Sequence, residues 1–276
     1  MRAGPVVCVF GRRTFVCGIV NMTPDSFAGD GLAGDAGAAE ARGHAMRADG
    51  ADLLDVGGRS TRPGAPPVDV EEELRRTIPA IRRLTSVGLP ISVDTSSAAV
   101  ARAALDAGAA MINDVTALRG DPAMGAVAAR AAVPVVLAAT DDRTAAPDPV
   151  SETVRVLRER IAAAVAHGID ARSLIVDPGY GFGLALWQNM ALLRHLDALR
   201  TLGRPVLIGT SRKGSIGRVL NLPVHDRVEG TAATVAVAIA RGADIIRVHD
   251  VRAMVRVARM TDAIVRGADG PPGLPP

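Results

Sequence analysis

The chain has 276 residues, of which 48% are hydrophobic and 22% charged, and this balance excludes a disordered or fibrous protein. The net charge of +3 comes from 32 basic and 29 acidic residues that alternate in sign, which argues against nucleic-acid or membrane partners. Aromatic residues make up only 2%, too few for a platform that stacks single-stranded nucleic acid. No apolar run reaches the roughly 18 residues of a membrane span. Residues 11–13 (GRR) interrupt the first apolar stretch, so no signal peptide is predicted and a cytoplasmic location is expected.

The two cysteines, Cys8 and Cys17, are too few for the disulfide scaffold of a small secreted protein. A turn at residues 11–13 would form a short N-terminal β-hairpin and place the two thiols opposite each other. The simpler interpretation is that both are small buried apolar side chains in a reducing cytoplasm.

Short apolar runs alternate with longer helical patterns along the whole chain. The predicted strands cover 15–20, 53–56, 91–93, 110–112, 133–138, 174–176, 206–208 and 245–248. The predicted helices lie near 36–49, 69–86, 97–107, 121–131, 150–167, 186–200, 225–241 and 250–266, with starts at Asp35 and Asp121. Eight strand–helix units predict a single (β/α)8 barrel over residues 1–266. The Gly- and Pro-rich residues 267–276 are predicted to form a disordered tail.

A doubly wound parallel sheet is the main alternative fold. It would usually carry a Gly-x-Gly-x-x-Gly turn after its first strand, and residues 20–23 (VNMT) have none.

Polar residues follow seven of the eight predicted strands, and the fifth strand alone ends in small residues (AAT at 138–140). In a (β/α)8 barrel these positions converge at the carboxyl edge, where active sites lie. Asp94, Asn113, Asp177 and Lys213 follow the third, fourth, sixth and seventh strands. Lys213 is the only lysine in a chain that otherwise uses arginine, and its thin stem suits a narrow pocket.

Two carboxylates, an amide and an ammonium group suit a flat heterocycle with lactam-like and amidine-like edges. A hydrolytic carboxylate pair or a metal site could also use the two aspartates. The first needs neither lysine nor amide, and a dedicated metal cage more typically holds four carboxylates, so heterocycle recognition fits best.

A second polar group comes from the first, second and eighth strands, which become neighbours when the barrel closes. Its guanidinium, imidazole, hydroxyl and amide donors suit a phosphate or diphosphate. The members of this group are Asn21, Thr61, Arg62, Arg247 and His249.

Seven segments at these strand ends resemble the dihydropteroate synthase family, the folate-pathway enzymes that sulfonamides target. They are GIVNMTPDSF at 18–27, DVGGRSTRPG at 55–64, ISVDT at 91–95, INDV at 112–115, DPGYGFG at 177–183, GTSRK at 209–213 and RVH at 247–249. Their order and spacing extend from residue 16 to about residue 262.

The resemblance implies a transferase that condenses 6-hydroxymethyl-7,8-dihydropterin diphosphate with p-aminobenzoate to give 7,8-dihydropteroate and diphosphate. By resemblance, Asp94, Asn113, Asp177 and Lys213 would hold the pterin. Asn21, Arg247 and His249 would bind the diphosphate, with Mg²⁺ near Asn21. Thr61, Arg62, Pro63, Phe182 and Ser211 would form the p-aminobenzoate site. The catalytic set would be Asp94, Asp177, Lys213, Arg247 and His249, and a homodimer is expected.

Three positions depart from the family pattern. Residues 137–143 (LAATDDR) replace a Met-His-Met type run, Arg59 replaces an acidic residue, and Leu184 replaces a lysine. The first change removes an apolar wall of the pterin pocket, which would weaken substrate binding by about 1–3 kcal/mol.

Two other functional hypotheses remain open at this point. A paralogue that binds pterin without turnover would explain the change at residues 137–143, although it has no use for the diphosphate group of residues. A barrel methyltransferase acting on a methylated folate should lack Lys213 and the segment 61–63 (TRP), and both are present.

Overall fold

A computed structural model describes residues 1–4, 6–24, 31–60 and 67–267 of the chain. Within these ranges, two short strands, β1 (Arg2–Ala3) and β2 (Val6–Val7), precede eight parallel strands. The parallel strands are β3 (Phe15–Asn21), β4 (Leu53–Gly57), β5 (Ile91–Asp94), β6 (Met111–Asp114), β7 (Val135–Ala138), β8 (Leu174–Asp177), β9 (Leu207–Ile208) and β10 (Ile245–Val248). They are hydrogen-bonded in the order β8-β7-β6-β5-β4-β3-β10-β9. Helices follow the strands, so the predicted (β/α)8 barrel is confirmed.

The barrel closes between β8 and β9 through a short contact. A parallel bridge joins Val176 to Val206, and the amide of Val176 donates to the carbonyl of Pro205 at 3.0 Å. By contrast, β3 and β4 share five registered pairs, from Cys17–Leu53 to Asn21–Gly57. The eight strands therefore form a nearly continuous cylinder with one weak seam.

The helices that surround the barrel are α1 (Ala36–Ala48), α2 (Val70–Leu84), α3 (Ala98–Asp106), α4 (Met124–Ala131), α5 (Pro149–Ala166), α6 (Leu186–Arg194), α7 (Gly214–Leu220), α8 (Val228–Ala240) and α9 (Val251–Arg266). Asp35 caps α1 as predicted, because its carboxylate accepts from the amides of Gly37 and Ala38 at 2.9 and 3.0 Å. None of these helices is long and apolar enough to cross a bilayer.

Two helix boundaries differ clearly from the sequence prediction, and one short helix was not predicted. Asp121 does not start a helix: its carboxylate accepts from Ala98 at the start of α3 and from Ala123, each at 2.9 Å, and α4 begins only at Met124. The helix predicted at 186–200 ends at Arg194 and continues as a 3-10 turn. The short helix α7 was not predicted, because its two glycines weaken the helical pattern.

Two layers of apolar side chains account for the core. Outward-facing strand residues pack against the helices in a large cluster. A smaller cluster fills the amino end of the barrel interior and consists of Phe15, Cys17, Leu53, Met111, Val136, Ile175, Leu207 and Ile245. This plug closes one end of the barrel and leaves the carboxyl edge as the open end.

The N-terminal hairpin is confirmed, but its turn lies earlier than predicted. Strands β1 (Arg2–Ala3) and β2 (Val6–Val7) are antiparallel, with Arg2 opposite Val7. Cys17 belongs instead to β3, where it is registered with Leu53 and Arg247. The prediction that a turn at 11–13 sets Cys8 opposite Cys17 is therefore wrong, and both thiols are free. Cys8 packs beneath the interior plug, so the hairpin covers the closed end of the barrel.

Candidate active site

A cavity of about 360 Å³ opens at the carboxyl edge of the barrel. Every strand of the barrel contributes to its lining, within one residue of the end of the strand. These lining residues are Asn21, Gly57, Asp94, Asn113, Ala138, Asp177, Gly209 and Arg247. The predicted residues Phe182, Ser211, Lys213 and His249 also line the cavity, from the loops that follow the strands.

Arg247 on β10 lies at the centre of a buried polar network. Its Nε donates to Asp55 Oδ2 at 2.6 Å, and its Nη2 donates to Asp94 Oδ2 at 3.0 Å. Asn113 Nδ2 donates to the same Asp55 oxygen at 2.9 Å. Asp94 and Asn113, predicted to hold a heterocycle, and Arg247, predicted to hold a diphosphate, therefore belong to one hydrogen-bonded network.

Asp55 is the site residue to which the sequence analysis gave no role. It lies in the middle of β4 and only 1% of it is exposed. Its neighbours Leu54 and Val56 face outward into the main core, so Asp55 faces the barrel interior. A carboxylate inside an otherwise apolar strand was the available signal, since such a charge needs a buried partner.

Burial and neighbouring charges shift the pKa values of Asp94 and Arg247. Burial raises the pKa of Asp94, and the nearby Asp55 carboxylate raises it further, whereas Arg247 opposes both effects. Burial disfavours the charged form of Arg247, but Asp55 and Asp94 more than compensate and raise the pKa of its guanidinium. Arg247 therefore keeps its positive charge, whereas the carboxyl of Asp94 holds a proton more readily than an exposed aspartate does.

Lys213 forms an adjacent wall of the cavity, because it follows β9, which pairs with the β10 strand of Arg247. It occupies the N-cap position of α7. Its Nζ donates to the carbonyl oxygen of Tyr180 and lies 4.3 Å from the ring centroid of Phe182. Burial lowers the pKa of Lys213 to about 8, an effect that Asp177 partly offsets. Burial also raises the pKa of Asp177, whose Oδ1 accepts from the amide of Gly179 at 2.7 Å. This wall combines an aromatic face with an ammonium donor and a carboxyl acceptor.

The third part of the lining combines an imidazole and a hydroxyl. His249 Nδ1 lies 2.9 Å from Ser211 Oγ, and the backbone amide of His249 donates to the same oxygen at 3.2 Å. Arg212, next to Ser211 in the sequence, does not enter the cavity lining but pairs with Asp250. The hydroxyl thus orients the imidazole beside Arg247.

Three predicted site residues, Thr61, Arg62 and Pro63, lie outside the described ranges. The departures from the family pattern are described. Arg59 lines the cavity and donates to Ser96 Oγ, and Leu184 is also part of the lining. Ala138 lines the cavity, whereas Ala139 is fully buried behind it in the main core.

The described part of the chain offers few side chains that could bind a metal ion together. Across the described ranges, no three His, Cys, Asp or Glu residues are grouped so that they could hold a metal ion. Asn21 supplies one amide residue at the cavity wall. A Mg²⁺ ion carried by a diphosphate fits this arrangement, because such ions keep several waters and use few protein ligands.

Comparisons with known proteins agree with this geometry. A family model described as pterin binding enzyme matches residues 17–249. The dihydropteroate synthase of Bacillus subtilis (strain 168) is 44% identical over 262 residues, which cover 95% of this chain and 92% of that relative.

Solved structures give the same result. The Xanthomonas albilineans dihydropteroate synthase with 4-aminobenzoic acid superposes with a TM-score of 0.86 at 49% identity, covering 91% of this chain and 93% of that chain. The Yersinia pestis dihydropteroate synthase in a sulfonamide drug complex gives a TM-score of 0.91 at 38% identity, covering 96% and 98%.

An eight-stranded parallel barrel with a polar cavity at its carboxyl edge and a match to the pterin-binding model defines a pterin-binding enzyme. Within that class, the chain belongs to the dihydropteroate synthase family, whose members are transferases of folate biosynthesis.

Proposed function

We propose that the protein joins 6-hydroxymethyl-7,8-dihydropterin diphosphate to p-aminobenzoate, forming 7,8-dihydropteroate and releasing diphosphate. The observation that carries this proposal is the meeting, in one cavity, of the Asp94–Arg247 network and the Lys213–Asp177 wall. The first offers positive charge to a leaving group, and the second offers both donors and acceptors to a heterocycle.

The pterin ring would bind against Phe182, with Lys213 donating to its lactam oxygen and with Asp177, Asn113 and Asp94 facing its polar edges. All five residues line the cavity. The carboxyl groups would also stabilise positive charge that develops on the pterin as the bond to the leaving group breaks.

The diphosphate would lie beside Arg247, His249 and Asn21. The electron pair of the breaking carbon–oxygen bond leaves with the diphosphate, and Arg247 stabilises that negative charge. The Ser211 hydroxyl holds the His249 imidazole for hydrogen bonding to the leaving group. When bound, Mg²⁺ would neutralise part of the diphosphate charge, with Asn21 as its protein ligand.

The arylamine would bind at Ser211 and Phe182, which line the cavity. Thr61, Arg62 and Pro63, which lie outside the described ranges, stay a prediction for this subsite. The lone pair of the arylamine nitrogen forms the new bond to the pterin methylene, and the amine releases a proton. Holding both reactants in line would contribute to the acceleration, and no nucleophilic side chain is needed. The arylamine in the Xanthomonas albilineans structure and the drug in the Yersinia pestis structure support an arylamine site that also accepts sulfonamides.

The deciding experiment measures diphosphate release by the purified protein with Mg²⁺ and the dihydropterin diphosphate, with and without p-aminobenzoate. Release that depends on the arylamine, with an equal amount of dihydropteroate formed, is the expected result. Tight binding of the pterin without any release would contradict the proposal and identify a binding protein instead.

We further infer a cytoplasmic homodimer. Six large apolar side chains are exposed on the consecutive helices α7, α8 and α9, and a self-association surface would cover them. They are Val219, Leu220, Val237, Met260, Ile264 and Val265. The free thiols Cys8 and Cys17 agree with a reducing compartment. Sedimentation at micromolar concentration tests the dimer, and a single monomeric species would contradict it.

A further inference from the structure

Arg143 is a buried arginine that takes no part in the proposed chemistry. It lies between β7 and α5, and only 2% of it is exposed. Its Nη2 reaches the carbonyl oxygens of Ala139, of Pro178 at 3.2 Å and of Phe182 at 3.4 Å. Its Nη1 donates to the hydroxyl of Thr153 on α5. One guanidinium group thus joins a helix of the scaffold to the loops that follow β7 and β8.

Neutral oxygen atoms accept the hydrogen bonds of the buried Arg143 guanidinium. Its hydrogen bonds within the described residues go to neutral carbonyl and hydroxyl oxygens, and no carboxylate is among the acceptors. Burial lowers the pKa of this guanidinium, while Asp141 and Asp177 act in the opposite direction. Burying a cation without a bonded carboxylate costs free energy. The several hydrogen bonds of Arg143 therefore indicate a role in addition to stability.

The two loops that Arg143 joins are also in direct backbone contact. The amide of Arg143 donates to the carbonyl of Gly183 at 2.9 Å. Gly179 and Gly183 have φ angles of +68° and +54°, and an added Cβ at either would overlap the carbonyl of Ala139 or Asp141. The segment after β7 therefore serves as the base on which residues 178–183 rest.

Residues 178–183 carry three contacts of the cavity wall. The amide of Gly179 holds the Asp177 carboxylate, the carbonyl of Tyr180 accepts from Lys213, and the ring of Phe182 lies against the Lys213 ammonium. A shift of this loop would displace the carboxylate, the ammonium and the aromatic face together.

We propose that Arg143 is a positioning residue that fixes the loop 178–183 and, through it, the placement of Asp177, Lys213 and Phe182 toward the pterin. This inference rests on the proposed function of the cavity. A planar guanidinium with five N–H donors can bond several carbonyl oxygens at once, which the three donors of a lysine cannot reproduce in the same geometry.

The test compares Arg143→Ala and Arg143→Lys with a matched control at the other end of the barrel. The control is Arg13→Ala, which removes a partly buried arginine that forms a two-pronged ion pair with Asp52 at 2.7 and 2.9 Å. For each protein we would measure the melting temperature, the dissociation constant of the pterin substrate by calorimetry, and kcat and KM for diphosphate release.

We expect Arg143→Ala to lower kcat/KM for the pterin substrate by about 10- to 100-fold. Its pterin dissociation constant should rise, and millimolar guanidinium added to the buffer should restore part of both quantities. Guanidinium should not restore activity to Lys213→Ala, and Arg13→Ala should lose melting temperature without losing pterin affinity. Arg143→Lys should fall short of the original protein.

An Arg143→Ala protein with unchanged pterin affinity and kcat/KM would overturn the inference, as would a loss that guanidinium leaves untouched. If that variant does not fold, Thr153→Val removes one acceptor of Arg143 and should still weaken pterin binding; unchanged binding there would also overturn it. The two proposals fail separately: if the unaltered protein binds pterin but releases no diphosphate, the synthase proposal fails while calorimetry still tests Arg143.

Discussion

At the residue scale, the site depends on a carboxylate that two strands share. Asp55 accepts from Arg247 on β10 and from Asn113 on β6, so one buried oxygen orients a cation and an amide at once. Arg247 in turn reaches Asp94 on β5. Removing any one of these side chains leaves a buried partner without its opposite charge or its hydrogen-bond partner. The network is therefore sensitive to single substitutions.

Replacing Asp55 with asparagine keeps the shape of the side chain but removes the charge opposite Arg247. We expect Asp55→Asn to lower the free energy of unfolding by about 3 kcal/mol, since one partner of a buried pair is lost. Urea denaturation followed by circular dichroism measures the change. As a control, Asp170→Asn removes an exposed ion pair with Arg172 and should leave the denaturation midpoint unaltered. Equal stability of the two variants would argue against a structural role for the network.

The charge of Lys213 makes the site sensitive to pH. Because burial lowers the pKa of its ammonium to about 8, the group loses its proton as the pH rises through that value. If the charged form of Lys213 binds the pterin, kcat/KM should fall as the pH rises above about 8. Lys213→Ala should abolish turnover, and Lys213→Arg should not restore it, because the wider guanidinium does not fit the same space. A rate that stays flat well above pH 8, or an active alanine variant, would contradict the assignment.

At the scale of elements, the end of β7 is where this chain departs most from the family pattern. Ala138 and Ala139 are neighbours with opposite directions: the first lines the cavity, and the second packs into the main core. The polar loop that follows β7 contributes to the fold, because its Arg143 is buried against residues 178–183. The missing side-chain wall and the buried Arg143 therefore belong to the same segment of the chain.

The two alanines provide a matched pair of variants. Ala138→Met extends an apolar side chain into the cavity and should strengthen pterin binding by about 1 kcal/mol through recovered apolar contact. Ala139→Met places the same side chain in a filled core and should lower stability by about 1–3 kcal/mol without a gain in affinity. Calorimetry with the pterin and urea denaturation separate the two effects. Weaker pterin binding by Ala138→Met would show that the shortened wall is matched to its ligand.

At the scale of the whole molecule, the barrel has a seam between β8 and β9. A single bridge joins Val176 to Val206, whereas the ladder between β3 and β4 has five registered pairs. The seam also separates two parts of the proposed pterin site, since Asp177 ends β8 and Lys213 follows β9. A ligand held by both residues would bridge the seam and stabilise its closed form.

Hydrogen exchange tests this view of the barrel. We expect the amide of Val176 to exchange faster than the amides of the β3–β4 ladder, because fewer hydrogen bonds must open to expose it. Saturating pterin should slow exchange at Val176 more than in the β3–β4 ladder. Uniform exchange around the barrel, or protection by pterin confined to the β3–β4 side, would argue against a seam that the ligand spans.

Much of the fold could be predicted because its signals are local. Eight apolar runs, each followed by a helical pattern, identified the barrel strands within a few residues of the observed bounds. Predictions failed where a distant contact decides the outcome. Asp121 has the pattern of a helix start, yet its carboxylate serves α3 across the interface between two units. The short helix α7 carries too little pattern to be recognised.

At the site, too, local features could be predicted and long-range contacts could not. Polar residues at strand ends were recognised because parallel strands of a barrel present them at one edge. The contacts between these residues could not be predicted, because Arg247 and Asp94 are 153 residues apart in the sequence, and Arg247 and Asp55 are 192 apart. Asp55 was overlooked for this reason: within its own strand nothing indicates which cation it would meet.

By itself, the sequence determined the alternation of strands and helices and the chemical types of side chain at the open end of the barrel. Both depend on periodicity and on residue choice over a few neighbouring positions. Only the tertiary structure decided which strands meet at the seam, which carboxylate holds Arg247, and how Arg143 joins two loops to α5. These features depend on closure and register, which arise from the packing of all eight units together and from no single segment.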